Sequence, residues 1–307
     1  MTTALPAKDL PSDVSYSALF SPNIVYSYFE HVNKVPFKYE ALDFSIANAW
    51  WLCEASFLGY VRDEAFVQEN LARAGLPRVE FFSCRGTQCY VAHNAAFILV
   101  AFRGTERDEF EDIRVDLKFT LMASETSGKV HRGFKNALDA VWPDLSRYLS
   151  HLHSESSAGR RRVWMTGHSM GGALAVLAGA RFVNVQGIYT FGCPRVGNAR
   201  YRRDYPVRCY RVVNHNDIVP HLPPPLFYRH VGKLIYIDRN GRLHVAGGAA
   251  RSWPDRVKSG LWYMYRIFKK MGWKAYPRVL LDPVMDHAPV FYATHLWNAL
   301  VENERSC

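Results

Sequence analysis

The segment Gly167-His168-Ser169-Met170-Gly171-Gly172 constrains this chain more than any other. It reads G-x-S-x-G. Before it runs the short, mostly apolar stretch Arg162-Val163-Trp164-Met165-Thr166, which predicts a buried strand. After it, Met170 to Phe182 is rich in alanine and glycine and predicts a helix. A serine between strand and helix sits on a tight, strained turn that pushes its oxygen into the open. Small neighbours let other backbone segments come close to that turn.

The rest of the chain supplies a scaffold of matching type. Phe44, Ala47, Trp51, Leu52, Ala55, Leu58 and Gly59 recur at helical spacing, and Asp63 to Ala74 predicts a shorter helix ended by Gly75 and Pro77. Val79 to Phe82 and Cys89 to Ala92 flank an Arg85-Gly86 turn and predict a hairpin. Ala96 to Phe102 is an unbroken apolar run, as expected of a strand covered on both faces. Phe134 to Leu152 predicts an amphipathic helix, and Gly187–Gly192 and Val207–Val213 predict two strands. Leu234 to Asp238 and Leu243 to Val245 flank Asn240-Gly241, a second hairpin, and the chain turns helical from Ala288. Strands alternating with helices imply an α/β sandwich with a largely parallel central sheet and helices on both faces. No Pro/Ser/Gly-rich linker divides residues 1–307, which predicts one domain with a helical N-terminal region over 1–77.

A serine hydroxyl needs a base, and the base needs an orienting acid. On this architecture the chain order is serine, then acid, then histidine. Asp217, in Asn214-His215-Asn216-Asp217-Ile218-Val219-Pro220, follows a predicted strand and precedes a rigid proline turn. Five of the twelve histidines lie beyond it: His221, His230, His244, His287 and His295. His287 sits where the last helix begins, whereas His295 lies inside that helix, where packing or surface roles fit better. The oxyanion that forms in acyl transfer needs two N–H donors. Met170, next after the serine, offers one. Phe102-Arg103-Gly104-Thr105-Glu106, leaving the apolar strand, offers the other, with Gly104 permitting the turn and Thr105 carrying N–H and hydroxyl.

Six segments, in order, resemble the class 3 lipases, a family that includes fungal triacylglycerol lipases. They are Val100–Thr105, Val130–Phe134, Thr166–Ala173, Phe191–Asn198, Asn216–Pro223 and Asp286-His287. The resemblance implies the α/β-hydrolase fold and a lipase that cleaves acylglycerol esters without a cofactor or a metal. It implies Ser169 as nucleophile, Asp217 as acid, His287 as base, and Thr105 and Met170 as the oxyanion hole. Gly104, His168 and Asp116 stand beside them as supporting residues, Asp116 as the lid carboxylate that anchors the oxyanion hydroxyl. It also implies a lid at 106–120, where Phe110, Ile113, Leu117 and Phe119 fall on one helical face. The opposite face is densely charged, which keeps a carboxylesterase for short soluble esters and a phospholipase A1 in view. A further rival, of another class, is an inactive membrane-binding protein on a hydrolase fold.

Charge and composition narrow the partners. The net charge is +10, and the excess lies wholly in residues 194–307, with 19 Lys and Arg against 8 Asp and Glu. The segment 246–285 concentrates it: residues 251–278 carry eight Lys and Arg, one Asp and seven aromatics. Such interleaving suits a cap over the site or contact with an anionic membrane surface, and no nucleic-acid motif accompanies it. No basic-then-apolar leader opens the chain, so a cytoplasmic or leaderless-secreted protein is expected. The six cysteines are too few for a disulfide scaffold, and Cys84 and Cys89, which bracket the first hairpin turn, are expected to be free thiols.

Overall fold

The computed structural model describes residues 5–15, 19, 26–104, 120–154, 161–245 and 285–306. Both the lid segment (except Thr120) and the basic aromatic segment (except Met285) lie outside them, as do Thr105 and Asp116.

The helices are α1 (Ile46–Leu58), α2 (Glu64–Arg73), α3 (Arg132–Ser154), α4 (Met170–Arg181), α5 (Ala199–Arg203) and α6 (Pro289–Ser306). The strands are β1 (Arg78–Cys84), β2 (Thr87–His93), β3 (Phe97–Phe102), β4 (Leu121–Ala123), β5 (Lys129–His131), β6 (Arg162–His168), β7 (Val185–Phe191), β8 (Cys209–Asn214), β9 (Lys233–Ile237) and β10 (Leu243–Val245). Eight of them form one sheet in the order β1-β2-β3-β6-β7-β8-β9-β10. The steps from β3 to β9 are parallel, whereas β1–β2, β2–β3 and β9–β10 are antiparallel, the first and last of these being the two predicted hairpins.

The sheet separates two cores, and side-chain alternation along β3 shows why its sequence is apolar throughout. Phe97, Leu99 and Ala101 face the core shared with α1 and α6, while Ile98, Val100 and Phe102 face the core shared with α3 and α4. A strand covered on both faces has no polar side to spare. On the first face Trp50 of α1 packs against Trp297 of α6, with ring centroids 5.0 Å apart. On the second, Phe134, Leu138, Val141, Leu145, Leu149 and Leu152 form the buried stripe of α3. Burial of each such leucine contributes about 1.5–3 kcal/mol.

Local capping agrees with the sequence. Asp63 caps α2 by accepting from the Ala65 and Phe66 N–H groups, and Gly75, with φ 83°, lies just beyond its end. Two features carried no readable signal. Three-residue β4 and β5 form a separate two-stranded sheet, and α5 spans five residues. They depend on a tertiary zipper: the His131 N–H donates to the Val196 carbonyl, and Gly197 bridges Val130 to Arg229. In the first hairpin Cys84 faces Thr87 and Cys89 faces Phe82, an offset of two residues. Both cysteines are free thiols.

Candidate active site

Ser169, Gly192, Asp217 and Gly104 all follow the carboxyl ends of parallel strands, where open α/β sheets collect their functional groups. Ser169 has φ 56° and ψ −129°, a conformation that costs a non-glycine residue about 1–3 kcal/mol. Neighbouring backbone enforces it. The Ser169 N–H donates to the Phe191 carbonyl at 2.9 Å, and its carbonyl accepts from Gly172 at 3.1 Å. Both glycines of the motif are required by contact. A Cβ on Gly167 would collide with the Gly171 carbonyl, and one on Gly171 would collide with the carbonyl oxygen of Phe102. Met170 opens α4, so its N–H belongs to the first-turn set that a helix does not bond internally.

Asp217 and His287 lie 70 residues apart and meet at 2.9 Å, Nδ1 to Oδ2. Neither is more than 1% exposed. The carboxylate also accepts from the Tyr292 hydroxyl at 2.5 Å and from the Val219 N–H at 2.9 Å. A carboxylate that takes Nδ1–H leaves Nε2 as the acceptor of a neutral imidazole, the tautomer a general base needs. Gly192, at φ 59°, packs against this pair. A Cβ there would stand 2.7 Å from Asp217 Oδ2 and 2.8 Å from His287 Nδ1. Because Phe191 binds the Ser169 N–H, the same turn that receives the imidazole also anchors the serine.

His168, just before the serine, packs its ring against that of His287, with centroids 4.4 Å apart and planes tilted by 35°. Its Nε2 lies 2.7 Å from the His287 carbonyl oxygen and its Nδ1 lies 2.8 Å from the Tyr60 hydroxyl. Burial, with the His287 ring beside it, pushes its pKa well below the usual histidine range. Gly104 leaves no room for a side chain between Tyr60 and the His168 carbonyl.

The other late histidines lie elsewhere. His244 pairs with Asp238, and His295 stacks on Phe291 and lies against Gly241. Tyr60 and Tyr292 escaped the sequence reading. Tyr292 could have been found as the residue one helical turn beyond Ala288, on the buried stripe that also carries Leu296. For Tyr60 no local signal exists. Among the described residues, no group of three or more His, Cys, Asp and Glu gathers as metal ligands would. No described helix is long and apolar enough to cross a membrane.

Residues 99–227 match the family described as lipase (class 3). A triacylglycerol lipase of Arabidopsis thaliana is 31% identical over 253 residues, covering 60% of this chain and 48% of that protein. A lipase of Rhizomucor miehei is 34% identical over 157 residues, covering 47% of this chain and 42% of that protein. The chain thus spans about half the length of such relatives, or less. Two solved structures share the fold. One is a triacylglycerol lipase described as having a serine protease triad at its catalytic centre. It has TM-score 0.52 and 24% identity, over 69% of this chain and 82% of that one. The other is the Rhizomucor miehei triacylglyceride lipase, with TM-score 0.53 and 22% identity, over 70% and 83%. The sheet, with its helices on both faces, has the α/β-hydrolase fold, and residues 99–227 are similar to the class 3 lipases.

Proposed function

We propose that this protein is a serine carboxylic ester hydrolase that cleaves acylglycerol esters through an acyl-enzyme. The observation that carries the proposal is the buried Asp217–His287 pair, seated on the glycine turn that also anchors the strained serine. In this reading Ser169 Oγ attacks the ester carbonyl while His287 Nε2 takes its proton. Asp217 holds the imidazole's tautomer and stabilises the imidazolium. The N–H of Met170 holds the tetrahedral oxyanion, and the resemblance implies Thr105 as the second donor, with Asp116 as its lid carboxylate; both lie outside the described residues. Such donors contribute about 2.7–4 kcal/mol each to the barrier reduction. The imidazolium then passes its proton to the departing alcohol, and water, activated by the same nitrogen, cleaves the acyl-enzyme. The basic excess in residues 194–307 supports peripheral contact with an anionic lipid surface.

Replacing Ser169 with alanine is expected to lower kcat on a p-nitrophenyl ester by about a million-fold, the scale of a nucleophile knockout in a serine hydrolase. It should also abolish covalent labelling by a fluorophosphonate. Residual activity within a hundredfold of wild type would refute the mechanism. Rates on long-chain esters that rise above the micellar threshold support the lipase reading. A preference for short monomeric esters would instead favour a carboxylesterase.

A further inference from the structure

His287 stands on a turn over residues 286–288 rather than within a regular element, so its place depends on side-chain contacts. Asp217 fixes its ring, and the Asn214 amide donates to the neighbouring Asp286 carbonyl at 3.0 Å. The carbonyl of His287 itself is held by His168 Nε2. A carbonyl oxygen can only accept, so Nε2 carries the proton and Nδ1 accepts from the Tyr60 hydroxyl. That hydroxyl has a second neighbour. The space beside the Gly104 Cα is filled by Tyr60 Oη, and the His168 carbonyl oxygen would stand 2.8 Å from a Cβ there. One phenol, two residues beyond α1, therefore touches the turn that leads into Thr105 and binds the residue before the serine. Through one imidazole it reaches the backbone of the base.

We propose that Tyr60 and His168 are positioning residues for the hydrolytic reaction, holding the His287 main chain and the oxyanion turn at Gly104 in register with Ser169. This inference rests on the serine hydrolase reading above. The coupling crosses the fold: Tyr60 follows α1, His168 ends β6, and His287 precedes α6. Because burial keeps His168 neutral, the relay does not itself titrate through the working pH range. The acid limb of the pH–rate profile is expected to move when the relay is cut.

Three variants test this: Tyr60→Phe, His168→Leu and His168→Gln. The first keeps the ring and removes only the hydroxyl. The last puts an amide N–H near the place of Nε2. Tyr60→Phe and His168→Leu are expected to lower kcat by about tenfold to a hundredfold, the range that a 1 Å misplacement can cost. KM should stay within about threefold, the sign that transition-state rather than ground-state contacts were lost. Fluorophosphonate inactivation should slow in step. The acid limb should move by at least about half a pH unit in His168→Leu. His168→Gln should recover kcat to within about fivefold of wild type. The inference is overturned if Tyr60→Phe and His168→Leu keep wild-type kcat and inactivation rates. It is also overturned if His168→Gln loses as much as His168→Leu with the acid limb unmoved, the outcome of mere space filling. Failure of the underlying reading looks different: wild-type protein would not be labelled at Ser169 at all.

Discussion

Tyr292 shows how much of a candidate site can hang on one unadvertised hydroxyl. Its oxygen donates to Asp217 Oδ2 at 2.5 Å and accepts from the Asn214 N–H at 3.0 Å, so it ties the carboxylate to the end of β8. Burial and the adjacent carboxylate raise its pKa well above the usual tyrosine range, so it stays a donor at every working pH. Tyr292→Phe removes one of the three donors to Asp217 and leaves the ring's packing in place. Losing a hydrogen bond to a charged group costs about 1.5–3 kcal/mol. Steady-state kinetics should therefore show kcat down by about tenfold to a hundredfold with KM little changed. An unaltered kcat would mean that His287 and Val219 suffice to orient the acid. Ser169, Asp217 and His287 could be singled out in the sequence because acyl-transfer chemistry demands particular residue types in a particular chain order, and the structure brings Asp217 and His287 into contact. Tyr60 and Tyr292 were not, since a tyrosine beside a helix looks the same whether it packs or donates.

The strand–turn–helix unit of β6 and α4 works only because its glycines let three backbones crowd together. α4 begins so close to the end of β3 that a methyl group on Gly171 would meet the Phe102 carbonyl oxygen and lie 2.9 Å from the Arg103 carbonyl carbon. Those are main-chain atoms at the end of a fully buried strand, and they cannot swing aside as a side chain could. Gly171→Ala is expected to destabilise the fold by about 1–3 kcal/mol, the usual cost of overpacking. It should also slow fluorophosphonate labelling, because the elbow must tilt. Gly75 is the contrast. It has φ 83° but no atom within 4 Å of where a methyl group would stand, so Gly75→Ala meets only backbone strain and should leave labelling untouched. Denaturant titration with a labelling assay separates the two, and equal labelling in both variants would refute the packing account. At this scale the long periodic elements were readable: β3 from its unbroken apolar run, α3 from its stripe, and the β9–β10 hairpin from Asn240-Gly241. The short elements β4, β5 and α5 were not, because each is too short to show a period, and part of their bonding is made with distant chain, as from His131 to Val196 and from Asn198 to Lys129.

Across the whole molecule, the fold keeps several histidines neutral, and this sets its response to acid. Burial, helped by the Arg132 charge, pushes His131 down to about 4, and burial also pushes His168 and His230 well below the ordinary range. In the unfolded chain each takes up a proton below about pH 6.5. The folded state does not follow until far lower pH, so the unfolded state binds more protons and stability falls as pH drops from about 6.5 towards 4. At about 1.36 kcal/mol per unit, His131 alone accounts for up to about 3 kcal/mol of that loss. The urea midpoint, read by tryptophan fluorescence, should drop steadily between pH 7 and pH 5, and less steeply in His131→Phe. A flat midpoint would refute the burial of neutral imidazoles. The sequence by itself determined the alternation of strands and helices, the serine turn, and the chain order of Ser169, Asp217 and His287 as candidates, because periodicity and residue type are local properties. Only the tertiary structure decided that Tyr60, His168 and Tyr292 gather around Asp217 and His287 and that β5 bridges to Gly197. Those contacts join residues dozens to more than a hundred positions apart, and hydrogen bonding at such range leaves no mark on the neighbouring sequence.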